Sequence, residues 1–372
     1  MKILHVINNL GSGGAEKLIE EALPIMNESN EVKADLLLLT DENNVFEESL
    51  KRKGIDIEIL SLRKIYHPLN IFGIKECIKK GNYDLIHAHL FPTQYWVALV
   101  KVLLRNEKIK FVTTEHNTNN RRRKKFFFKL IDKYIYSKYD CIISISEDTK
   151  EKLIDWINPN SYERSKFVVI ENGINLEKFK NAAPYQKKEL NLEFDDSSKL
   201  LCMVGRFDLQ KDQATIIKAM KYLPLDVHLL LVGQGPLQEE KKLLAKTLGL
   251  EKRVHFLGFR SDVERIIKTV DIIILSSNWE GFGLAAVEGM AAGKPVIGTN
   301  VPGLRDVIGD KDLLFEVGDE IELANKVIKL LNNKEMYFQK AKQMQRRSEN
   351  YDIKNMVAKY LKKYFELYNL TN

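Results

Sequence analysis

The feature that most constrains the fold is an alternation of short apolar runs with longer amphipathic segments. The runs of the first half of the chain are Ile3–Ile7, Asp35–Leu39, Ile57–Leu60, Leu85–His87, Lys110–Thr113, Cys141–Ile145 and Phe167–Ile170. Helix-like segments of about 10–15 residues separate most of them, and such an alternation predicts a parallel sheet with helices on both faces. Near-continuous apolar stretches such as 36–39 suit strands that are buried on both sides.

The same alternation begins again after a polar stretch at about residues 172–198. The later apolar runs are Leu200–Val204, Val227–Val232, Val254–Leu257, Ile272–Leu275, Pro295–Ile297 and Leu313–Phe315. A single core rarely grows beyond about 250–300 residues, and this chain has 372 residues. We therefore predict an α/β fold of two doubly wound Rossmann-like domains, residues 1–178 and 179–350. A tail with helical spacing of its apolar residues follows at 351–372.

Composition excludes several classes of protein. Hydrophobic residues make up 44% and charged residues 29% of the chain, and no run approaches the roughly 20 apolar residues of a membrane span. The N-terminal run lacks the features of a signal peptide and is interpreted as a strand. Three widely spaced cysteines, Cys77, Cys141 and Cys202, indicate reduced core thiols in the cytoplasm. No cysteine or histidine spacing resembles a zinc site.

The positive charge of the chain is local. The net charge is +7, and residues 101–140 alone hold twelve Lys or Arg and four Asp or Glu, a net +8. One anionic partner at this patch is therefore favoured over general nucleic-acid binding. The cations of the patch that precede a run of three phenylalanines are Arg121, Arg122, Arg123, Lys124 and Lys125.

Two interpretations of this patch remain open at the level of sequence. It is typical of a basic amphipathic helix that lies on an anionic membrane surface. It also suits an ordinary helix whose cations face outward while Phe127, Leu130, Ile131 and Tyr134 pack into the core. The two interpretations are compatible if the cations face lipid.

Ligands of open parallel sheets bind beyond the carboxyl ends of the strands, where four motifs of this chain lie. The first contains Gly13 and Gly14, between a strand and a helix, where glycines permit close approach and a helix start favours an anion. The dinucleotide fingerprint G-x-G-x-x-G fails because Glu16 occupies its third glycine position, which disfavours a dehydrogenase. A plain tight turn is the alternative.

The second motif contains Arg206 and Lys211, just after the first strand of the second half. The fork of an arginine and the point charge of a lysine can together neutralise a diphosphate. The alternative is ordinary solvated charge on the surface.

The third motif runs from Glu280 through Gly281 and Gly283 to Glu288. It predicts a helix that begins near 282–284 and offers its first amides to phosphate. Eight helical residues would separate the two carboxylates by about 12 Å, more than the roughly 5–9.5 Å of glycosidase pairs. This spacing better suits two carboxylates that accept hydrogen bonds from hydroxyls at opposite ends of a sugar nucleotide. The alternative is that Glu288 is simply a surface residue.

The fourth motif is His116, which follows the strand Lys110–Thr113 and can donate to a sugar hydroxyl or a carbonyl. A purely structural histidine is the alternative. His87 and His89 also lie at a strand end, where a strand-capping role is the alternative.

Together these motifs resemble the retaining glycosyltransferases of family four, which have the GT-B fold. Glu280 and Glu288 match the family's E-x7-E pattern. The sequences that also match, in the expected order along the whole chain, are Gly13-Gly14-Ala-Glu, Val204-Gly-Arg206, Val232-Gly-Gln-Gly-Pro236, Phe256-Leu-Gly-Phe259, Glu280-Gly-Phe-Gly-Leu and Ala291-Ala-Gly-Lys-Pro-Val-Ile. The resemblance implies an interdomain cleft and a C-terminal helix that crosses back to the first domain.

The resemblance also implies roles for individual residues. Arg206, Lys211 and the amides of Gly283 and Leu284 would hold the donor diphosphate. Glu280 and His116 would contact the transferred sugar, and Glu288 the ribose. The remaining donor-binding residues would be Gly13, Gly14, Gly205, Gly235, Phe259, Gly281 and Phe282.

The implied activity is metal-independent transfer, with retention of configuration, of a hexose or N-acetylhexosamine. The donor would be a nucleotide sugar, with UDP favoured, and the acceptor a glycan or a polyprenyl-diphosphate-linked sugar in bacterial surface polysaccharide synthesis. The enzyme would be cytoplasmic, or peripheral on the inner face of the membrane. The alternatives are a nucleotide-sugar epimerase of the same fold and a non-catalytic protein that binds sugar nucleotides.

Overall fold

The computed structural model describes residues 1–60, 62, 64–105, 108–118, 120–190 and 195–369, except the side chains of Arg121 and Lys124. The chain forms two compact units. The first comprises Met1–Gly173 together with Ile353–Asn372, and the second comprises Ile174–Asp352.

The first unit is built on a parallel sheet. Its strands are β1 (Lys2–Ile7), β2 (Lys33–Leu38), β3 (Ile57–Ile59), β4 (Leu85–His89), β5 (Lys110–Glu115), β6 (Cys141–Ser144) and β7 (Phe167–Val169). Its helices up to residue 173 are α1 (Gly14–Met26), α2 (Glu47–Arg52), α3 (Asn70–Gly81), α4 (Thr93–Leu104), α5 (Phe127–Ser137), α6 (Glu147–Ile157) and α7 (Ser161–Arg164). A 3-10 turn at Arg121–Lys124 precedes α5.

The strands of this sheet follow the order β3-β2-β1-β4-β5-β6-β7. All of the pairings are parallel, so the carboxyl ends of the strands lie at one edge. The strand order reverses between β1 and β4, and such a switch point is where doubly wound sheets bind ligands. Apolar residues of β1 and β2 pack against α1 on one face, while α3, α4 and α6 cover the other face.

The second unit repeats this architecture. Its strands are β8 (Lys199–Val204), β9 (Val227–Val232), β10 (Val254–Gly258), β11 (Ile272–Leu275), β12 (Val296–Thr299) and β13 (Leu314–Phe315). Its helices are α8 (Leu176–Lys180), α9 (Gln213–Ala219), α10 (Gln238–Thr247), α11 (Val263–Thr269), α12 (Leu284–Ala291), α13 (Pro302–Ile308), α14 (Glu320–Asn332) and α15 (Lys334–Ser348). The strand order is β10-β9-β8-β11-β12-β13, all parallel, with its switch point between β8 and β11.

The last helix of the chain, α16 (Ile353–Asn369), packs against α1 of the first unit. Its buried residues recur every three or four positions, which is the helical period that the tail predicts. They are Ile353, Met356, Val357, Tyr360, Tyr364 and Leu367. The hydroxyls of the two tyrosines reach the strands of the sheet, which ties this helix to the first unit.

The predicted α/β architecture of two parallel sheets is confirmed. Each apolar run predicted as a strand contains one, and the bounds differ by no more than two residues at either end. Cys77, Cys141 and Cys202 are free thiols buried in the two units. None of the helices in the described ranges combines the length and the apolar character that a bilayer crossing requires.

Candidate functional site

In the second unit, an ion pair joins the loops that follow β8 and β11, the two strands at the switch point. Nζ of Lys211 lies 2.6 Å from Oε2 of Glu280, and both side chains are largely buried. The Ser277 hydroxyl donates to the same carboxylate oxygen at 3.2 Å, and Nε2 of Gln210 donates to Oε1 at 3.4 Å. The Glu280 carboxylate is therefore held by three groups in one orientation, while Lys211 is not an isolated cation.

The same two loops are also joined along their backbones. The amide of Asn278 donates to the Gln210 carbonyl at 2.8 Å, and its side-chain amide donates to the Leu209 carbonyl at 2.7 Å. Gly205 lies beneath the Lys211 stem, since a Cβ atom there would come 3.2 Å from Lys211 Cγ. These contacts hold the Lys211 ammonium group in one position relative to the sheet.

Arg206 has a different environment from Lys211. It is exposed, and its guanidinium makes no hydrogen bond or ion pair with any residue in the described part of the chain. Its backbone is held, because Nε2 of Gln213 donates to the Arg206 carbonyl at 3.0 Å. The loop that follows β8 therefore carries one unpaired guanidinium in addition to the paired ammonium, which leaves one full positive charge for an anionic ligand.

Two glycines after β9 allow the backbone of their loop to pack directly against the backbone of the loop after β8. Gly233 has φ +132°, and a Cβ there would lie 2.2 Å from the Gly205 carbonyl oxygen. A Cβ at Gly235 would lie 2.4 Å from the Phe207 carbonyl oxygen. Side chains are thus excluded where the loops after β8 and β9 meet, which leaves main-chain groups next to Arg206.

The predicted helix start is α12, which begins at Leu284. Its N-cap, Gly283, has φ +95° and no side-chain cap, and a Cβ on it would come 3.6 Å from Glu280 Cγ. The first amides of an α-helix have no partner within the helix and can bind an anion. These amides therefore lie next to the Lys211–Glu280 pair.

The other residues of this motif are buried. Gly281 and Phe282 are buried, and Phe282 packs edge-on against Tyr351 with ring centroids 5.3 Å apart. Glu288, on α12, is only 4% exposed. The alternative of a surface position for Glu288 is therefore wrong.

Phe259 follows β10 and is substantially exposed. The next residue, Arg260, pairs with Asp262 through two hydrogen bonds of 2.7 and 2.6 Å. The Arg260 guanidinium holds the pKa of the Asp262 carboxyl far below its ordinary value. Phe259 thus offers an uncovered aromatic face beside a fixed, neutralised pair.

In the first unit, Gly13 is the N-cap of α1 and Gly14 is its first residue. The Glu16 carboxylate folds back over Gly13, where a Cβ would come 2.3 Å from Oε2 of Glu16. The residue that breaks the dinucleotide fingerprint therefore occupies the space over the first turn of the helix.

The first unit also contains a network of imidazoles, in which His5, His87 and His89 are buried and His116 is partly buried. Nδ1 of His5 lies 3.0 Å from Nε2 of His89, and Nδ1 of His89 lies 3.2 Å from Nε2 of His116. His87 contacts the Tyr364 hydroxyl at 2.5 Å and the Thr114 hydroxyl at 2.8 Å. His87 and His89 therefore do not cap β4, since their rings lie inside this network.

Burial keeps these imidazoles neutral. It lowers the pKa of His5 to about 3 and that of His116 to about 4. It lowers the pKa values of His87 and His89 well below the ordinary value, and neighbouring histidines lower them further. At neutral pH this cluster therefore offers hydrogen bonds without charge.

The basic patch differs from its predicted form. Arg122 is only 8% exposed, with its guanidinium stacked over the Phe91 and Tyr95 rings and 3.4 Å from the Asp132 carboxylate. Arg123 turns inward and donates to the Thr118 carbonyl at 3.1 Å. The prediction that these cations face outward is therefore wrong for both arginines, because nearby aromatic and acidic side chains bind them. Lys125 is exposed, and the side chains of Arg121 and Lys124 lie outside the described part.

The apolar residues of α5 are also placed differently from the prediction. Phe127, Leu130, Ile131 and Tyr134 are exposed rather than packed into the core, and Phe126 beside them is 79% exposed. The buried face of α5 consists instead of Asp132, Ile135 and Tyr136. The helix thus presents an apolar surface to its surroundings.

Sequence reasoning missed several residues that complete these sites. Gln210 and Ser277 hold Glu280, and Gly303 packs under it, where a Cβ would come 2.5 Å from the Glu280 carbonyl oxygen. A signal existed for Gly303, since it follows Pro302 at a helix start. His5 lies within an apolar strand run, so the sequence gives no sign of a functional role. Its place in the cluster follows only from the pairing of β1 with β4, which sets His5 opposite His87.

Comparison with known proteins agrees with this geometry. The family model described as Glycosyltransferase Family 4 matches residues 13–178, and the model described as Glycosyl transferases group 1 matches residues 185–357. The N-acetyl-alpha-D-glucosaminyl L-malate synthase of Bacillus anthracis is 30% identical over 268 residues, which are 70% of this chain and 69% of that protein.

Two further comparisons cover nearly the whole chain. One is with the Campylobacter jejuni N-acetylgalactosamine-N,N'-diacetylbacillosaminyl-diphospho-undecaprenol 4-alpha-N-acetylgalactosaminyltransferase, 28% identical over 95% of this chain and 98% of that protein. The other is with the crystal structure of Anabaena HepE in complex with UDP and glucose. It has a TM-score of 0.85 at 22% identity over 98% of this chain and 99% of that chain, a likeness in fold. The chain belongs to glycosyltransferase family 4 and is a glycosyltransferase of the GT-B fold.

Proposed function

We propose that this glycosyltransferase moves a hexose or N-acetylhexosamine from a UDP-sugar to a glycan or polyprenyl-diphosphate-linked acceptor in bacterial surface polysaccharide synthesis. The name of the Campylobacter jejuni relative states a diphospho-undecaprenol acceptor, and HepE was solved with UDP. The observation that carries the proposal is the Lys211–Glu280 pair beside the start of α12. The loop that holds Lys211 also carries Arg206, which is unpaired within the described residues. The proposal places the reaction on the cytoplasmic side of the membrane.

The donor diphosphate would be bound by Arg206, Lys211 and the amides of Gly283 and Leu284. Breaking the bond between the anomeric carbon and the phosphate builds negative charge on that diphosphate. Fixed cations and helix-start amides stabilise such charge without reorganisation, and this is commonly the largest contribution to catalysis. The observed pairing suits this role, because Glu280 holds Lys211 in place before the ligand arrives.

Acidic groups would bind the hydroxyls of the donor. Glu280 would accept hydrogen bonds from the transferred sugar and Glu288 from the ribose, with Phe259 beside the base. The backbone around the remaining glycines and Phe282 would line the donor, at Gly205, Gly235, Gly281 and Phe282. In the first unit, the proposal assigns Gly13 and Gly14 to the phosphate or sugar, and His116 to the sugar.

We assign retention of configuration to a reaction on one face of the sugar. The acceptor oxygen would bond to the anomeric carbon as the phosphate departs, and the acceptor proton would pass to the departing phosphate oxygen. NMR of the product anomer tests retention, and a trapped glycosyl-enzyme adduct would contradict the same-face route. We also propose that no metal is needed, since Arg206, Lys211 and the α12 amides supply the positive charge. Undiminished transfer in excess chelator is the expected result, and activity restored only by added magnesium would overturn it.

Donor and acceptor specificity can be tested in sequence. A thermal-shift screen of UDP-, GDP- and ADP-sugars should give the largest stabilisation with a UDP-sugar. UDP release should then depend on an added acceptor, which distinguishes transfer from epimerisation. Donor turnover to an epimer without acceptor, or stabilisation by no sugar nucleotide, would count against the proposal.

For the first unit we propose contact with an anionic membrane, through α5 rather than through Arg122 and Arg123, which turn inward. Phe126 and Leu130 are 79% and 69% exposed, and Lys125 and Lys133 are exposed beside them. Exposed apolar surface flanked by cations is typical of a helix that lies in a lipid interface. This location would bring the enzyme to a lipid-linked acceptor.

Vesicle sedimentation tests this membrane contact. We expect binding to vesicles of anionic lipid, and loss of that binding in the Phe126→Ser/Leu130→Ser variant. The matched control is Leu225→Ser/Phe338→Ser, which removes two exposed apolar residues of the second unit. Equal binding by both variants would refute a role for α5.

A further inference from the structure

Three imidazoles of the first unit form a continuous hydrogen-bonded chain that ends at His116. His5 contacts His89 at 3.0 Å, and His89 contacts His116 at 3.2 Å. His5 and His89 are buried within β1 and β4, whereas His116 follows β5 and is only partly buried. We propose that His5 and His89 are positioning residues that hold the proton of His116 on Nδ1, so that His116 presents a fixed hydrogen-bond donor.

The number of protons restricts this chain to two states. Burial lowers the pKa values of all three rings, so at neutral pH each carries one proton. Two of the three protons lie within the two hydrogen bonds, since each bond needs one. The third proton must lie at an end of the chain, either on Nε2 of His5 or on Nδ1 of His116.

The surroundings of His5 favour the second state. Nε2 of His5 is buried and has no hydrogen-bond partner in the described part of the protein. A proton there would leave an N–H donor buried and unpaired, and orphaned buried N–H groups are rarer than orphaned acceptors. With the proton at the other end, His5 donates to His89, His89 donates to His116, and Nδ1 of His116 carries the remaining proton.

A proton held on Nδ1 limits the role of His116 in the transfer reaction. This step of the inference rests on the proposed function. An Nδ1–H group can donate to a hydroxyl of the transferred sugar. It cannot accept a proton at that atom, so His116 cannot act there as the base for the acceptor hydroxyl. The acceptor O–H bond and the bond from the anomeric carbon to phosphate break, the new glycosidic bond forms, and the proton leaves on the nucleoside diphosphate.

His87 provides a natural control because it lies in the same cluster but outside the chain. Its two nitrogens contact the hydroxyls of Tyr364 and Thr114. It shares β4 and the same face of the sheet with His89, two residues away. Substitution of His87 removes a buried imidazole without removing a link to His116.

The protonation of each ring can be measured by long-range ¹H–¹⁵N NMR of the free enzyme labelled in histidine, without any donor. We expect His116 to be protonated on Nδ1 at pH 7. The internal reference is His67, whose Nδ1 accepts from the Leu69 amide at 3.2 Å, so its neutral ring carries the proton on Nε2. An Nε2-protonated His116 in the wild-type protein would overturn the proposal, whatever its variants do.

Two matched variants then test the positioning role. His89→Phe removes the donor to Nε2 of His116, and we expect His116 to shift toward the Nε2-protonated form. His87→Phe should leave His116 protonated on Nδ1, and an unchanged His67 signal reports that each variant is folded. An unchanged His116 in His89→Phe, or an equal shift in both variants, would contradict the proposal.

Transfer kinetics separate this inference from the proposed function. We expect kcat/KM to fall about 10- to 100-fold in His89→Phe, the range for outer partners that orient an imidazole at a metal site. His87→Phe should lose less. If the NMR result holds but His116→Ala transfers sugar as fast as the wild type, the chain of imidazoles stands and the assignment of His116 to the donor sugar fails.

Discussion

The first unit carries polar side chains within the strands of its sheet, whereas the second unit keeps its strands apolar near the switch point and places its charges in the loops that follow. His5, His87 and His89 belong to β1 and β4, and burial keeps them neutral. In the second unit, the strands β8 and β11 are apolar in their interiors, and Lys211 and Glu280 belong to the loops beyond them.

This difference indicates a division of labour between two units of similar topology. Charges in loops at the carboxyl edge of a sheet can face a diphosphate, and the largely buried Lys211 and Glu280 are each paired with the other. Neutral groups inside a sheet can offer hydrogen bonds of fixed direction to an uncharged sugar. If this division holds, removing a charge should impair the second unit most, and disturbing hydrogen-bond geometry should impair the first.

The largest effect is expected from Lys211→Met. The variant removes a cation from the proposed diphosphate site and leaves the buried Glu280 carboxylate without its ion pair. Turnover should fall about 10²–10³-fold, the loss typical of one group that stabilises transition-state charge. The control, Lys242→Met, removes an exposed lysine that pairs with Glu239 in the same unit. Steady-state UDP release checks both, and similar turnover in the two variants would show that Lys211 is not part of the charge site.

The next effect concerns the backbone that supports those charged loops. Gly233→Ala places a Cβ 2.2 Å from the Gly205 carbonyl oxygen, whereas Gly249→Ala meets nothing within 4 Å. Both glycines have positive φ, so both substitutions add conformational strain: about 1–2 kcal/mol for the left-handed Gly249, and at least as much for Gly233, whose φ of +132° is essentially confined to glycine. Gly233→Ala should lower the free energy of unfolding by a further 1–3 kcal/mol or so, because the loops must move apart. Urea titrations of the two variants measure the difference, and equal midpoints would show that these loops are not closely packed.

A smaller effect, in the first unit, is an acid sensitivity caused by the neutral histidines. The pKa of His5 is about 3 in the folded protein, against about 6.5 for an exposed histidine. Between these values the unfolded chain binds a proton that the folded one does not, so stability falls as pH falls below about 6.5. The slope for one such group is about 1.4 kcal/mol per pH unit.

The variant His5→Leu removes one of these groups. The pH dependence of its free energy of unfolding should therefore be less steep than that of the wild type by about this slope. Urea titrations at pH 7, 6 and 5 measure it. Hydrogen exchange at pH 7 and 5 compares the two units. As the pH falls, β1 and β4 should lose more protection than β8 and β11. A parallel pH dependence of His5→Leu and the wild type would mean that His5 is solvated in the folded state.

How far the sequence predicts this molecule depends on whether a pattern is local. The strands and α16 follow from apolar periodicity, and the Glu280–Glu288 spacing identifies the loop that Lys211 joins. The inward turn of Arg122 was not predictable, because its partners Phe91 and Tyr95 come from a distant part of the chain. Periodicity likewise reveals that α5 has an apolar face, but not whether that face meets the core or the surroundings.

The smallest expected effect compares two tyrosines one turn apart on α16. The Tyr364 hydroxyl contacts Nδ1 of His87 at 2.5 Å, whereas the Tyr360 hydroxyl lies 3.4 Å from that of Thr114. Tyr364→Phe should therefore destabilise the protein by about 1 kcal/mol more than Tyr360→Phe, since it removes the shorter bond and leaves a buried nitrogen unpaired. Urea titrations compare the two variants. If they cost the same, the shorter bond to His87 adds nothing measurable to the attachment of α16 to the sheet.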